Sequence, residues 1–137
     1  MYGVSQHAIF ADRCFATTIA DNYIEEFGIH GGNAGDTWYG IACRVQSTAA
    51  SLVSGNKIFR FVRPKMSAAA YTFLDVGANG EGGLVSVIGN IIRGHSGANT
   101  TGLSYTGNIS VLSGNNVVDS VLVPRYVAPD VTIVQPL

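Results

Sequence analysis

Charge is the scarcest ingredient of this 137-residue chain, with Asp, Glu, Lys and Arg together making up 12% of it, against about 25% in an average soluble protein. A surface so poor in charge has to be built from Ser, Thr, Asn and Gly. Such a surface stacks on copies of itself or hides in an oligomer, since an isolated monomer relies on interspersed charge for solubility. Oligomerisation is therefore expected. The formal net charge of −1 supplies no dense positive patch, which argues against nucleic acid and an anionic membrane surface as partners. Long apolar runs are missing as well. No stretch approaches roughly 18 uninterrupted apolar residues, and the first residues lack the basic-then-apolar layout of a cleaved leader, so neither membrane insertion nor secretion by such a leader is expected. Cysteine is limited to Cys14 and Cys43. They show no CxxC spacing and fall at different phases of the repeat described next, so two buried, reduced thiols are expected. His30 and His95 have no third partner at metal-ligand spacing, and no metal or other cofactor is expected.

What the chain has in excess is glycine, at 17 positions, and internal repetition, which has to be sought before any other reading because it decides the fold. The length suits one domain with a real core. Four blocks share a pattern: Thr17–Ile24, Ser51–Ile58, Val85–Ile92 and Ser110–Val117. Each is a short alternating strand, then Gly-Asn or Asp-Asn, then one residue and a β-branched one. A second mark precedes each block: Tyr2-Gly3-Val4, Tyr39-Gly40-Ile41, Tyr71-Thr72-Phe73 and Thr101-Gly102-Leu103. The spacing between Asn22, Asn56 and Asn90 also suits paired-helix repeats, but the blocks are β-branched and punctuated by Gly-Asn rather than filled with Ala, Glu, Lys and Leu. Strands are expected.

In a parallel solenoid, equivalent residues of successive coils form columns about 4.8 Å apart. Asn22, Asn56, Asn90 and Asn115 are expected to line a bend, where Asn tolerates left-handed backbone and its amides can bond along the column. Ile19, Val53, Val87 and Leu112 form an expected inward column. Ile24, Ile58, Ile92 and either Val117 or Val118 form a second, depending on whether Asn115 or Asn116 takes the bend. Glu26 and Arg60 would face each other on the outside, a pair that sets register more than stability.

These Gly-Asn-x-Ile/Val blocks and Tyr/Thr-Gly-Ile/Leu strand openings resemble the right-handed parallel β-helix family that includes pectate-lyase-like enzymes and bacteriophage tailspikes. The resemblance covers roughly residues 2–120. It implies an all-β, right-handed parallel β-helix solenoid of about four coils over 1–120, with a C-terminal strand tail over 121–137 that caps the last coil or pairs between subunits. Prolines bound the strands of that tail, which limits runaway edge pairing. The family likeness further implies a homotrimer, polysaccharide as partner, and a place in a virion tail or outside the cell. Met1-Tyr2-Gly3 enters a coil with no capping element, so this is expected to be a piece of a longer solenoid, or to have that end covered by a partner.

Loops between the Asn bend and the next strand opening fall at one phase of the coil and should gather on one side, where function concentrates. They carry His30, Asp36 and Trp38 in the first, Arg63 and Lys65 in the second, and His95 in the third. Glycan cleavage needs two carboxylates at a set separation, or an acid beside a cation. Asp36 with Asp75 or Glu81 would supply the first arrangement, and Arg63 with Lys65 the cations of the second. Asp36 also follows Gly35 in a context that suits a plain turn. Trp38, Tyr39 and Tyr71 would form an aromatic shelf for sugar rings, with His30, Lys65 and His95 around it, although coil stacking would use the same rings. Three functions follow: a tailspike-like or adhesin segment that binds surface polysaccharide and supports trimer assembly, a polysaccharide lyase or glycoside hydrolase, or a purely structural stalk. The sequons at Asn99 and Asn108 are expected by chance in a chain this rich in Asn, Ser and Thr.

Overall fold

The computed structural model describes residues 2–4, 6–46, 48–61, 68–80, 82–95 and 99–135. They form an all-β chain of 15 strands in three five-stranded parallel sheets. The first sheet is β1 (Tyr2–Val4), β4 (Tyr23–Phe27), β7 (Lys57–Phe59), β10 (Ile91–Arg93) and β13 (Val117–Asp119). The second is β2 (Ile9–Cys14), β5 (Thr37–Val45), β8 (Ala70–Ala78), β11 (Thr100–Thr106) and β14 (Val123–Val127). The third is β3 (Thr18–Ala20), β6 (Ser51–Ser54), β9 (Leu84–Ile88), β12 (Ser110–Gly114) and β15 (Thr132–Ile133). The chain visits the three sheets in rotation and pairs every strand in register with its counterpart one turn away, an arrangement consistent with a β-helical solenoid. Residues 121–135 do not leave this pattern: β14 pairs with β11, and β15 with β12.

The bend between the third and first sheets is built by asparagine. Asn22 donates from its backbone N–H and its Nδ2 to Asn56 Oδ1, at 3.1 and 2.9 Å. Asn56 does the same to Asn90, and Asn90 to Asn116. Each Nδ2 of Asn56, Asn90 and Asn116 also reaches a carbonyl in the preceding turn: Ile19, Val53 and Val87. Asn56 and Asn90 are fully buried, so the ladder satisfies amides that would otherwise be orphaned.

The fourth member is Asn116, not Asn115. The left-handed backbone lies one residue earlier than expected, at Asp21, Gly55, Gly89 and Asn115. Asn115 therefore takes the role of the two glycines, and Asn116 that of the ladder. Val118 accordingly continues the Ile24–Ile58–Ile92 column. The same shift corrects the other inward column, which runs Ile19–Val53–Val87–Ser113, with Leu112 opposite Ser86. Ser113 Oγ lies 2.8 Å from the buried Tyr105 hydroxyl, so a hydrogen bond replaces an aliphatic contact there.

The strand-opening mark is offset by one residue in β8. Tyr39 stands opposite Thr72, which in turn opposes Thr101, while Trp38 stands opposite Tyr71, which in turn opposes Thr100. Flanking pairs set Phe73 between Gly40 and Gly102. A Cβ on Gly40 would come within 2.5 Å of the Phe73 carbonyl oxygen. The mark at residues 2–4 belongs to another sheet, since Tyr2 and Val4 pair with Glu25 and Phe27.

Cys14 and Cys43 are both buried and free. They stand on neighbouring strands, with Cys14 opposite Val45 and Cys43 opposite Ala11, across a bulge. Contrary to the separation expected from their phases, the thiols lie beside each other. Burial, and then the neighbouring Cys14, push the Cys43 thiol up to about 12. The diagonal offset of one strand spacing and two residues corresponds to about 8 Å between Cα atoms, beyond the roughly 7 Å that a disulfide spans. Mass analysis under native conditions is expected to show two free thiols that react with an alkylating reagent only after denaturation. Loss of two hydrogens from the native protein would contradict this.

Candidate functional site

The outer face of the second sheet carries a row that crosses all five strands: Phe10, Ala42, Asp75, Ser104 and Tyr126 stand opposite one another in turn. The two ends are aromatic and 49% exposed. The three central residues are small or short, and they are buried. Four strand spacings make the row about 19 Å long.

Side chains from the neighbouring row flank it. Arg44 forms an ion pair with Asp75, and its guanidinium carbon lies 5.3 Å from the centre of the Tyr39 ring. His7 packs on Phe10, Tyr39 and Trp38 with ring centres 4.9, 5.2 and 5.4 Å away. The Tyr39 backbone N–H donates to His7 Nδ1 at 3.1 Å, so the imidazole is neutral with its proton on Nε2. Burial and Arg44 lower the His7 pKa from its ordinary value. Burial, and then Asp75, raise that of the Tyr39 hydroxyl, with Arg44 opposing. The result is a patch of aromatic faces beside one compensated pair of opposite charges.

Of the residues expected from sequence, Asp75 and Tyr39 belong to this patch. Trp38 borders it but is half-buried against the core, and its Nε1 donates to the Gly31 carbonyl at 2.9 Å. Asp36 Oδ2 accepts the Asn33 N–H at 2.8 Å, a turn-closing role. Each carboxylate is thus engaged separately, Asp36 by its own loop and Asp75 by Arg44. His30 is exposed on its loop. Arg63, Lys65 and Glu81 lie outside the described residues. Tyr71 is no shelf residue: it is buried, and its ring is covered by the Arg60 guanidinium with 3.6 Å to the ring centre.

A second polar cluster sits inside the corner between the first and second sheets. Glu26 and Arg60, expected outside, are 3% and 7% exposed. Glu26 Oε1 accepts the Phe61 N–H at 2.9 Å. Arg60 Nε donates to the Phe27 carbonyl at 3.0 Å, and its Nη1 lies 2.6 Å from His95 Nε2. Ile24 and Ile58 point inward, and two residues on, strand alternation carries Glu26 and Arg60 to the same face; left-handed backbone at Glu26 then lets Phe27 turn inward as well. His95, expected in an open loop, is buried here.

Among the described residues there is no group of three or more His, Cys, Asp or Glu that could hold a metal ion. Nor is there a helix long and apolar enough to cross a membrane. Compared with known proteins, the chain matches no family model, no curated protein and no solved structure. The architecture and the outer patch therefore carry the functional reading by themselves.

Proposed function

We propose that this chain is a right-handed β-helical segment of a tailspike-like or adhesin protein, which binds surface polysaccharide along the outer row of its second sheet. The observation that carries this reading is the row itself, with an exposed aromatic ring at each end and the partly exposed His7, Tyr39 and Arg44 side chains beside its buried centre. Sugar rings pack their apolar faces on aromatic side chains, while polar groups fix orientation. A straight row on a rigid sheet suits an extended polymer better than a small molecule. Binding is favoured over cleavage because Asp36 and Asp75 are held by separate partners, with Asp75 locked to Arg44.

Assembly into a homotrimer is part of the same proposal. The strands of the third sheet contain no charged residue. An uncharged outer sheet face is suited to cover by another copy, because parallel sheets are ordinarily buried on both sides. Sedimentation of the purified chain is expected to give a trimer.

Phe10→Ala tests the binding face. The ring is half exposed, so its removal should leave the melt nearly unchanged while weakening affinity for a binding capsular or O-antigen polysaccharide about tenfold, on the scale of one interface contact. Unaltered affinity in this variant, or no binding by the parent chain across a panel of such polysaccharides, would favour a structural stalk instead.

A further inference from the structure

The buried corner of Glu26, Arg60, Tyr71 and His95 is not used by the outer row, and its hydrogen bonding is unusual. A guanidinium has only donors to offer, so His95 Nε2, 2.6 Å from Arg60 Nη1, is an acceptor. The imidazole is then neutral and carries its proton on Nδ1. That Nδ1 is buried and has no hydrogen-bond partner among the described residues. Arg60 meanwhile ties the corner together, holding the Phe27 carbonyl with Nε and covering the Tyr71 ring. Immediately after Phe27, Gly28 has left-handed backbone, and a Cβ there would come within 2.8 Å of both Trp38 and Tyr71. The loop from 28 to 36 therefore departs from the point that Arg60 clamps.

We propose that this corner is an acid-sensitive latch, in which a solvent proton taken up at His95 Nε2 removes an acceptor of Arg60 and loosens the start of the loop 28–36, beside Trp38, while the three sheets stay formed. Protonation places two cations in contact, with Glu26 as the carboxylate beside them. Arg60 acts on His95 more strongly than Glu26 does, so the contact of two cations is repulsive in this buried corner and separation relieves it. Arg60 then leaves the Phe27 carbonyl and the Tyr71 ring, and the start of the loop loosens, while the hydrogen bonds of the Gly31, Gly32 and Asp36 carbonyls still hold its remainder.

Burial and the two charges facing His95 set the direction. Burial and then Arg60 lower its pKa from 6.5, and Glu26 opposes them. The open form thus binds the proton more tightly than the closed one. The latch is closed above pH 6.5 and loses stability as pH falls through that value toward the lowered one.

Trp38 is the only tryptophan, and its contacts with Gly28 and Gly31 make it a reporter for the loop. Acidification from pH 8 to 5 is expected to give one reversible step in Trp38 fluorescence, with a midpoint below 6.5 and an unchanged far-ultraviolet strand signal. His95→Gln retains a neutral acceptor for Arg60 and should abolish the step. His7 also lies near Trp38, so His7→Gln is the control and should keep the step. The imidazole resonances of His95 in the unsubstituted chain should titrate with the same midpoint, which tests the assignment even if His95→Gln folds poorly. A step that survives His95→Gln, disappears with His7→Gln, differs in midpoint from the His95 titration or coincides with loss of strand signal overturns the latch. So does the absence of any step.

Discussion

Replacing Asn56 by leucine is expected to lower stability by about 3–5 kcal/mol, seen as a fall in denaturant midpoint with an unchanged slope. The two residues are similar in size, so the loss comes from the ladder. Four hydrogen bonds disappear: two received from Asn22, one given to Asn90 and one given to the Ile19 carbonyl. Each buried group left without a partner costs about 1–3 kcal/mol, and water can reach only the half-buried Asn22 side. Asn22→Leu, at the end of the ladder, is expected to cost less, about 1–2 kcal/mol. Equal losses at the two positions would mean that the amide stack does not hold the coils together.

Trp38→Ala is expected to cost about 3 kcal/mol, below the full value for a completely buried aromatic. The indole fills the space over Gly28, and its Nε1 is the donor to the Gly31 carbonyl. At this chain length such a loss corresponds to a melting temperature lower by roughly 10 °C. Polysaccharide affinity, measured well below the melt, should change little because the indole borders the outer row rather than forming it. A stable variant with lost binding would instead make Trp38 a sugar platform.

The architecture was legible because the Asn bend repeats in every turn and because its flanking residues are β-branched. Only the choice between Asn115 and Asn116 was open, and it turns on a backbone conformation. Two adjacent asparagines both permit that conformation, and nothing in their side chains says which one adopts it. The one-residue offset of Tyr71 has a different origin. Matching tyrosines looked like equivalent positions, whereas the packing needed Phe73 between two glycines.

The candidate site was mostly hidden. Phe10, Ala42, Asp75, Ser104 and Tyr126 share no motif, the distance to the following ladder asparagine varies among the first four, and no asparagine follows Tyr126. Their alignment emerges only from the pairing of β2, β5, β8, β11 and β14. Arg44 gave no signal of its own, although a lone cation two residues beyond the row in a charge-poor strand was a usable hint. Glu26 and Arg60 were found as a pair but expected outside because they are charged, although each stands two residues after an inward isoleucine and alternation places it on the inner face.

The most direct test of the binding account is to map a polysaccharide fragment onto the isotopically labelled chain by chemical-shift perturbation. The expected result is a continuous set of shifted signals at His7, Phe10, Tyr39, Arg44, Ser104 and Tyr126, with the first and third sheets unaffected. Saturable binding whose shifts fall on the first or third sheet, or on none of these residues, would contradict it.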